Sequence, residues 1–307
     1  MNRRDFLLGT AAAAACAALR PGLSFGLPKR SVFPDYENRL QDRLWMWGHD
    51  SGCYDGPNGP YQIPLSEPIT MADAIRFMGI PNVCVIRGGT PGAEYRKQFK
   101  DVKRLTWNLS SGSNDSYYAL RDYDFGLLDE MPNLIGFDLD DFFRGGPDQI
   151  VKTEKGEQSV HPAALSLEEL SDLQKRMKAY SRPLDLRAVL YSAQLRPSIG
   201  PAMELVDTVA LWTWAGADVM RLEENFRTYR QIVPEKPTLL GIYMWDFGGK
   251  KPMEMAFMEH QLKTALRLFK EGEIEGLIFH CTPLCNKNLP AVEYSRQWIQ
   301  EHGNETR

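Results

Sequence analysis

The sequence predicts an α/β fold: one domain built as a closed (β/α)8, or TIM, barrel. Three observations predict it. Eight short apolar stretches recur along the chain, each followed by a segment with helical spacing or capping signals. Of the 307 residues, roughly 280 remain after an N-terminal targeting segment, which suits one such barrel. No Gly-rich phosphate turn follows the first stretch, which argues against the alternative of an open doubly wound sheet.

The chain begins with Arg3-Arg4-Asp5-Phe6-Leu7-Leu8-Gly9, ahead of an alanine-rich run from Thr10 to Ala18. A twin arginine before a short, moderately apolar run is the pattern of a twin-arginine export signal. The run is too short to span a bilayer as a helix. Cleavage is expected between Ala17 and Gly26. Ala13-Ala14-Ala15 is a poor lipobox for Cys16 and argues against a lipid anchor. The division is therefore a signal peptide at 1–26, a polar lead-in at 27–42 and the barrel domain at 43–307, with a periplasmic or extracellular destination.

Leu44-Trp45-Met46-Trp47-Gly48 is the first strand, followed by a Gly/Pro-rich loop from His49 to Pro68. A helix from Thr70 to Gly79 carries a capping pair, Thr70 and Asp73. Asn82 to Arg87 is the second strand and Ala93 to Lys100 its helix. Arg104 to Leu109 is the third strand, with a helix from Tyr117 to Glu130. The fourth strand begins at Leu134 and runs into Asp138-Leu139-Asp140-Asp141. Arg144 to Pro162 reads as a polar loop, and Ser166-Leu167-Glu168-Glu169 opens a helix running to Tyr180. Leu184 to Ser192 is the fifth strand, with a short helix at Pro201 to Val206. Val209 to Trp214 is the sixth strand, with a helix from Ala217 to Ile232. Leu239 to Trp245 is the seventh, followed by a helix from Pro252 to Lys270. Gly276 to His280 is the eighth, and Pro290 to His302 the closing helix.

A net charge of −4 with mixed signs favours neither nucleic acid nor an anionic membrane surface. No mature segment is long and apolar enough to span a membrane. Four cysteines follow the signal, Cys53, Cys84, Cys281 and Cys285, too few for a disulfide scaffold. Cys281 and Cys285 are spaced for either a short bridge or two free thiols. Their C-x3-C spacing lacks companion zinc ligands.

In a barrel of this kind the active site lies at the C-terminal ends of the strands. Those ends collect Trp47, His49, Asp50, Arg87, Trp107, Asn108, Asp138, Asp140, Asp141, Tyr191, Trp212, Trp214, Tyr243, Trp245, Asp246 and His280. On a strand, Asp138 and Asp140 share one face and Asp141 takes the other. Flat aromatic walls beside carboxylates suit carbohydrate, whose C–H faces stack on rings while hydroxyls bond to polar side chains. Cleaving a glycosidic bond needs one protonated and one ionised carboxyl on opposite sides of it. Asp138 or Asp140, on the fourth strand, and Asp246, on the seventh, stand roughly across the barrel. These three are the expected catalytic residues, with a cap of the loop at Gly248-Gly249 as the alternative for Asp246, and the others of the set are expected to bind substrate. Arg87 is expected to hold a carboxylate of the site or an acidic sugar, with an ordinary salt bridge to the helix layer as the alternative.

Gly136-Phe137-Asp138-Leu139-Asp140 resembles the fourth-strand signature of the chitinase-like glycoside hydrolases, Asp-x-x-Asp-x-Asp-x-Glu. Asp138 and Asp140 match two of its four acids. Ile135 replaces the first, and Phe142 stands where the catalytic glutamate would be. The resemblance covers about ten residues. It implies a secreted glycoside-hydrolase-type barrel without carrying over that family's substrate-assisted mechanism. The expected function is therefore an exported glycosidase using aspartates, with no cofactor. The alternatives are a non-catalytic carbohydrate-binding barrel, or a metal-dependent hydrolase using His49, Asp50, Asp138, Asp140 and His280. No HxH or HExxH spacing supports the last.

Overall fold

The computed structural model describes residues 38–56, 58–109 and 114–307, with side chains described for all of these except 114–120. The signal, most of the lead-in and the loop at 110–113 lie outside them.

The chain alternates strand and helix as expected: β1 (Leu44–Gly48), α1 (Met71–Met78), β2 (Asn82–Val85), α2 (Ala93–Arg96), β3 (Arg104–Asn108), α3 (Asn114–Glu130) and β4 (Leu134–Leu139). A hairpin, β5 (Gln149–Thr153) and β6 (Gly156–Val160), precedes α4 (Leu167–Lys178). Then come β7 (Asp185–Tyr191), α5 (Gly200–Met203), β8 (Thr208–Trp212), α6 (Leu222–Ile232) and β9 (Thr238–Tyr243). A second small hairpin, β10 (Trp245–Asp246) and β11 (Lys251–Pro252), leads to α7 (Met255–Lys270), β12 (Gly276–His280) and α8 (Pro290–His302). Eight strands close into a barrel in the order β1-β2-β3-β4-β7-β8-β9-β12, all pairs parallel. This is the (β/α)8 barrel the sequence predicts.

Local signals explain where the helices begin. Thr70 accepts a hydrogen bond from the Asp73 amide at 3.0 Å, and Gly79 ends α1 with a left-handed φ of 71°. Ser166 and Glu169 form a reciprocal capping box at α4. The described end of the lead-in is a 3-10 turn, Leu40–Arg43, tied to the C-terminus by Leu40 N–H to Glu305 O at 2.8 Å. These contacts join the two ends of the domain at the foot of the barrel.

Several boundaries differ from expectation. The segment from Arg144 to Pro162 contains the β5/β6 hairpin, not only loop. Strand pairing in the barrel stops at Val85, Trp212 and Tyr243, short of Arg87, Trp214 and Trp245. Beyond those points the chain turns outward to form the mouth. Part of the helix expected from Ala217 is a 3-10 turn, Gly216–Arg221.

The barrel interior is unusually polar at mid-height. Asp185 and Arg187 form an ion pair at 2.6 Å with both side chains buried. Thr208 donates to the same Asp185 at 2.8 Å, and the Arg187 guanidinium lies 3.8 Å from the Trp45 ring centre. Above this layer Gly241 makes room for the indole of Trp212, because a Cβ there would overlap the ring.

Candidate active site

The strand outlets enclose a cleft of about 400 Å³, lined by Trp47, His49, Tyr54, Tyr61, Asp140, Asp141, Tyr191, Ala193, Gln194, Trp214, Phe247 and His280. A cavity of about 500 Å³ at the strands' N-terminal end is bounded by residues such as Met203 of α5 and Val233 and Pro237 of the turn before β9. In this fold chemistry belongs to the other end.

β4 delivers the two acids of the cleft. Asp140 follows the last paired residue, and its amide donates to Asn108 Oδ1 at 3.3 Å. Strand alternation alone would turn Asp141 away. It instead has a left-handed φ of 45°, which brings its side chain to the cleft wall. The Asp141 amide donates to Asp140 Oδ1 at 2.9 Å, and the Tyr191 hydroxyl donates to Asp141 Oδ1 at 3.0 Å. Each acid is thus held by a separate partner.

The floor is aromatic. Trp47 packs edge-on against Trp212 with ring centres 5.5 Å apart, and His280 lies 4.5 Å from Phe247. His49 accepts or donates to the Tyr54 hydroxyl through Nε2 at 2.8 Å. Trp214 stands between Tyr61 (5.7 Å) and Tyr191 (5.9 Å). The long loop after β1 brings Tyr54 and Tyr61 over this floor and is pinned from the β12 side. Thr282 both accepts from and donates to the His49 backbone, and buried Lys287 pairs with Asp55 at 2.7 Å.

Electrostatics follow from that enclosure. Burial raises the Asp140 carboxyl to about 7, with the neighbouring charges of Asp141 and Asp138 adding to the shift. Burial lowers His49 to about 4 and His280 well below the usual imidazole value. The Tyr54, Tyr191 and Tyr243 hydroxyls are pushed upward by burial, and Asp140 adds to each shift. Near neutral pH the cleft therefore holds two neutral imidazoles, intact phenols, and an acid that keeps its proton up to about pH 7.

The other expected site residues stand elsewhere. Asp138 is 2% exposed and lies inside the barrel, below the cleft. Thr106 donates to it, and burial raises it to about 6 against the opposing charge of Arg187. Trp212 and Tyr243 are buried beneath the lining, where they support it. Asn108 positions the Asp140 backbone. Trp107 corrects the expectation for β3: it faces the helix layer, 6.3 Å from Phe99, because Thr106 and Asn108 occupy the inward parity. Trp245 is buried and holds the loop after β1 by donating from Nε1 to Tyr61 O at 3.1 Å. Asp50 and Arg87 pair with each other beside the cleft, and Tyr95 donates to Asp50 at 2.7 Å. Arg87 thus holds a carboxylate, but one outside the lining.

Asp246 departs furthest from expectation. Its Oδ1 accepts from the Gly216 amide at 2.9 Å and the Gly249 amide at 2.7 Å. The carboxylate is buried and caps two loops, so it does not face Asp140 across the cleft. A Cβ on Gly216 would come within 2.7 Å of Asp246 Oδ2. Asp246→Ala should therefore loosen the walls carrying Trp214 and Phe247 and destabilise the protein by about 1–3 kcal/mol. Thermal unfolding with a pH–rate profile checks this. The profile should keep its shape while activity and stability fall together; a lost ionisation would return Asp246 to the chemistry.

Tyr54, Tyr61, Gln194 and Phe247 line the cleft but were not among the expected residues. The two tyrosines had a sequence signal: they punctuate the long Gly/Pro-rich loop after the first strand. Among the described residues, no three His, Cys, Asp or Glu side chains converge as a cation site. Cys53 is exposed, Cys84, Cys281 and Cys285 are buried, and all four are free thiols.

Residues 1–19 match the twin-arginine translocation pathway signal sequence. Comparison with curated proteins finds no significant match. Solved structures share the architecture. The catalytic domain of a hyperthermophilic chitinase from Pyrococcus furiosus superposes with a TM-score of 0.54 at 13% identity, over 89% of this chain and 99% of that one. A GH99 endo-alpha-mannosidase from Bacteroides thetaiotaomicron gives 0.54 at 9% identity, over 86% and 98%. A xylanase-A-amylase inhibitor protein gives 0.53 at 13% identity, over 85% and 98%. The distant resemblance to glycoside-hydrolase-type barrels thus holds at the level of the fold, in a chain that opens with an export signal.

Proposed function

We propose that this protein is an exported glycoside hydrolase that cleaves a glycosidic bond in the cleft at the strand outlets. One observation carries the reading: Asp140, held to about pH 7 in its protonated form, lines an aromatic cleft beside a second carboxylate, Asp141. A protonated carboxyl can pass its proton to a leaving-group oxygen, which is general acid catalysis. Asp141 is the other carboxylate of the described lining; it stands on the same wall as Asp140, where it can bind and orient the sugar beside the acid. Trp214, Tyr54, Tyr61 and Tyr191, half-buried in the lining, offer faces and hydroxyls to a sugar ring, over the buried Trp47 and Phe247. The chitinase and the mannosidase among the structural neighbours support a glycoside-hydrolase reading of the fold, not these residue roles.

A second reading, a sugar-binding barrel without catalysis, has its own support. Both lining carboxyls come from consecutive residues on one wall, and Phe142 is fully buried where the resembled motif has its glutamate. A broad glycan panel, read for both binding and new reducing ends, separates the two. New reducing ends made by the mature protein support the hydrolase. Binding with no cleavage across the panel would convert it to a lectin-like protein.

Export is tested independently. Replacing Arg3 and Arg4 with lysine should leave precursor in the cytoplasm, as seen by fractionation. Unchanged export of that variant would rule out the twin-arginine route.

A further inference from the structure

We propose that the cleft selects sugars carrying a protonated amino group over their acidic counterparts, with Asp141 supplying the selecting charge. The inference rests on the carbohydrate reading above and names its substrate class. Among the described residues lining the cleft there are two carboxyl groups, three phenols, one amide and two imidazoles, but no lysine or arginine. The nearby cations have other engagements. Arg87 pairs with Asp50, and Lys287 is pinned by Asp55 and by Pro64 O at 2.7 Å. Arg144 bears on Asp140 from outside the lining.

The aromatic wall of the cleft adds to this. Tyr61 and Trp214, both half-buried, line the same cleft as Asp141 and pack edge-on at 5.7 Å, and aromatic faces attract a cation through their quadrupoles. An ammonium placed there gains a charge-assisted hydrogen bond to Asp141. A sugar carboxylate or sulfate at the same place meets like charge, and among the described residues of the lining there is no lysine or arginine to offset it.

The test uses matched glycans that differ in one substituent, as amine, acetamide, hydroxyl or carboxylate, in both anomeric series. Binding to the mature protein is measured at low and high salt. The amine members should bind roughly tenfold or more tightly than the carboxylate members, and the gap should shrink with salt. Asp141→Asn keeps a residue type that tolerates the left-handed backbone. It should erase the gap while the hydroxyl members still bind. Carboxylate members binding as well as amine members would overturn the proposal, as would a preference that survives Asp141→Asn. Binding or cleavage of neutral sugars without any charge preference would sink this inference alone. No binding by any member would sink the carbohydrate reading with it.

Discussion

Asp140→Asn is expected to lower turnover by roughly 10²-fold or more while leaving the fold and ligand affinity largely intact. The substitution keeps the shape of the side chain and removes its proton. Asn108 and the Asp141 amide contact the Asp140 backbone and one carboxyl oxygen, and an amide oxygen can replace the latter. The variant should also gain stability in alkaline solution. Asp140 has a folded pKa of about 7 against an ordinary 3.8, so the folded state favours its protonated form. Its contribution to stability is fully present below about pH 4 and is lost as pH rises toward 7. Asparagine suffers no such loss. Thermal unfolding at pH 4 should therefore find the two proteins closer in stability than at pH 8, where the variant should melt higher. Wild-type turnover by Asp140→Asn would take the proton-donating role away from this residue.

Removing the guanidinium at Arg187 should be the most destabilising single change at the barrel centre. Arg187 pairs with Asp185 at 2.6 Å, lies over Trp45 at 3.8 Å, and opposes the rise in the Asp138 pKa. Arg187→Ala leaves two buried carboxyls without that charge, and breaking such a buried pair typically costs about 3–5 kcal/mol. Asp138 should then titrate higher than about 6, since the group that lowers it is gone. Chemical denaturation measures the first effect. Arg187→Met, which keeps part of the packing volume, should lose nearly as much; a loss below about 1 kcal/mol for both would show that the pair contributes little.

Most of the barrel was legible because its eight strands are largely apolar runs bounded by strong punctuation, even where Asp138, Asp185, Arg187 and Thr208 interrupt them. Thr70 with Asp73, and Ser166 with Glu169, marked helix starts that the structure keeps. The β5/β6 hairpin was not legible, since it lies at the surface and buries neither face; Ile150 is 71% exposed. Without a buried face there is no apolar alternation to read. The cleft was legible where strand parity decides, as at Asp140, Trp47 and His280. It was obscure where loops decide. Trp107 was misjudged by counting strand ends without parity. Asp246 has one partner that a local pattern can give, the Gly249 amide three residues on, and one, Gly216, from a loop whose approach no local pattern encodes. Asp141 reaches the cleft only through its left-handed backbone.

The claim on which the account turns is that Asp140 keeps a proton near neutral pH in the empty cleft. Carbon-13 NMR of the aspartate side-chain carboxyls, recorded from pH 4 to 9, reads that proton without needing a substrate. Comparison with Asp140→Asn assigns the resonance. The account predicts a midpoint near 7 for Asp140. A midpoint in the ordinary carboxylate range, near 4, would mean that Asp140 is ionised at working pH and cannot be the general acid.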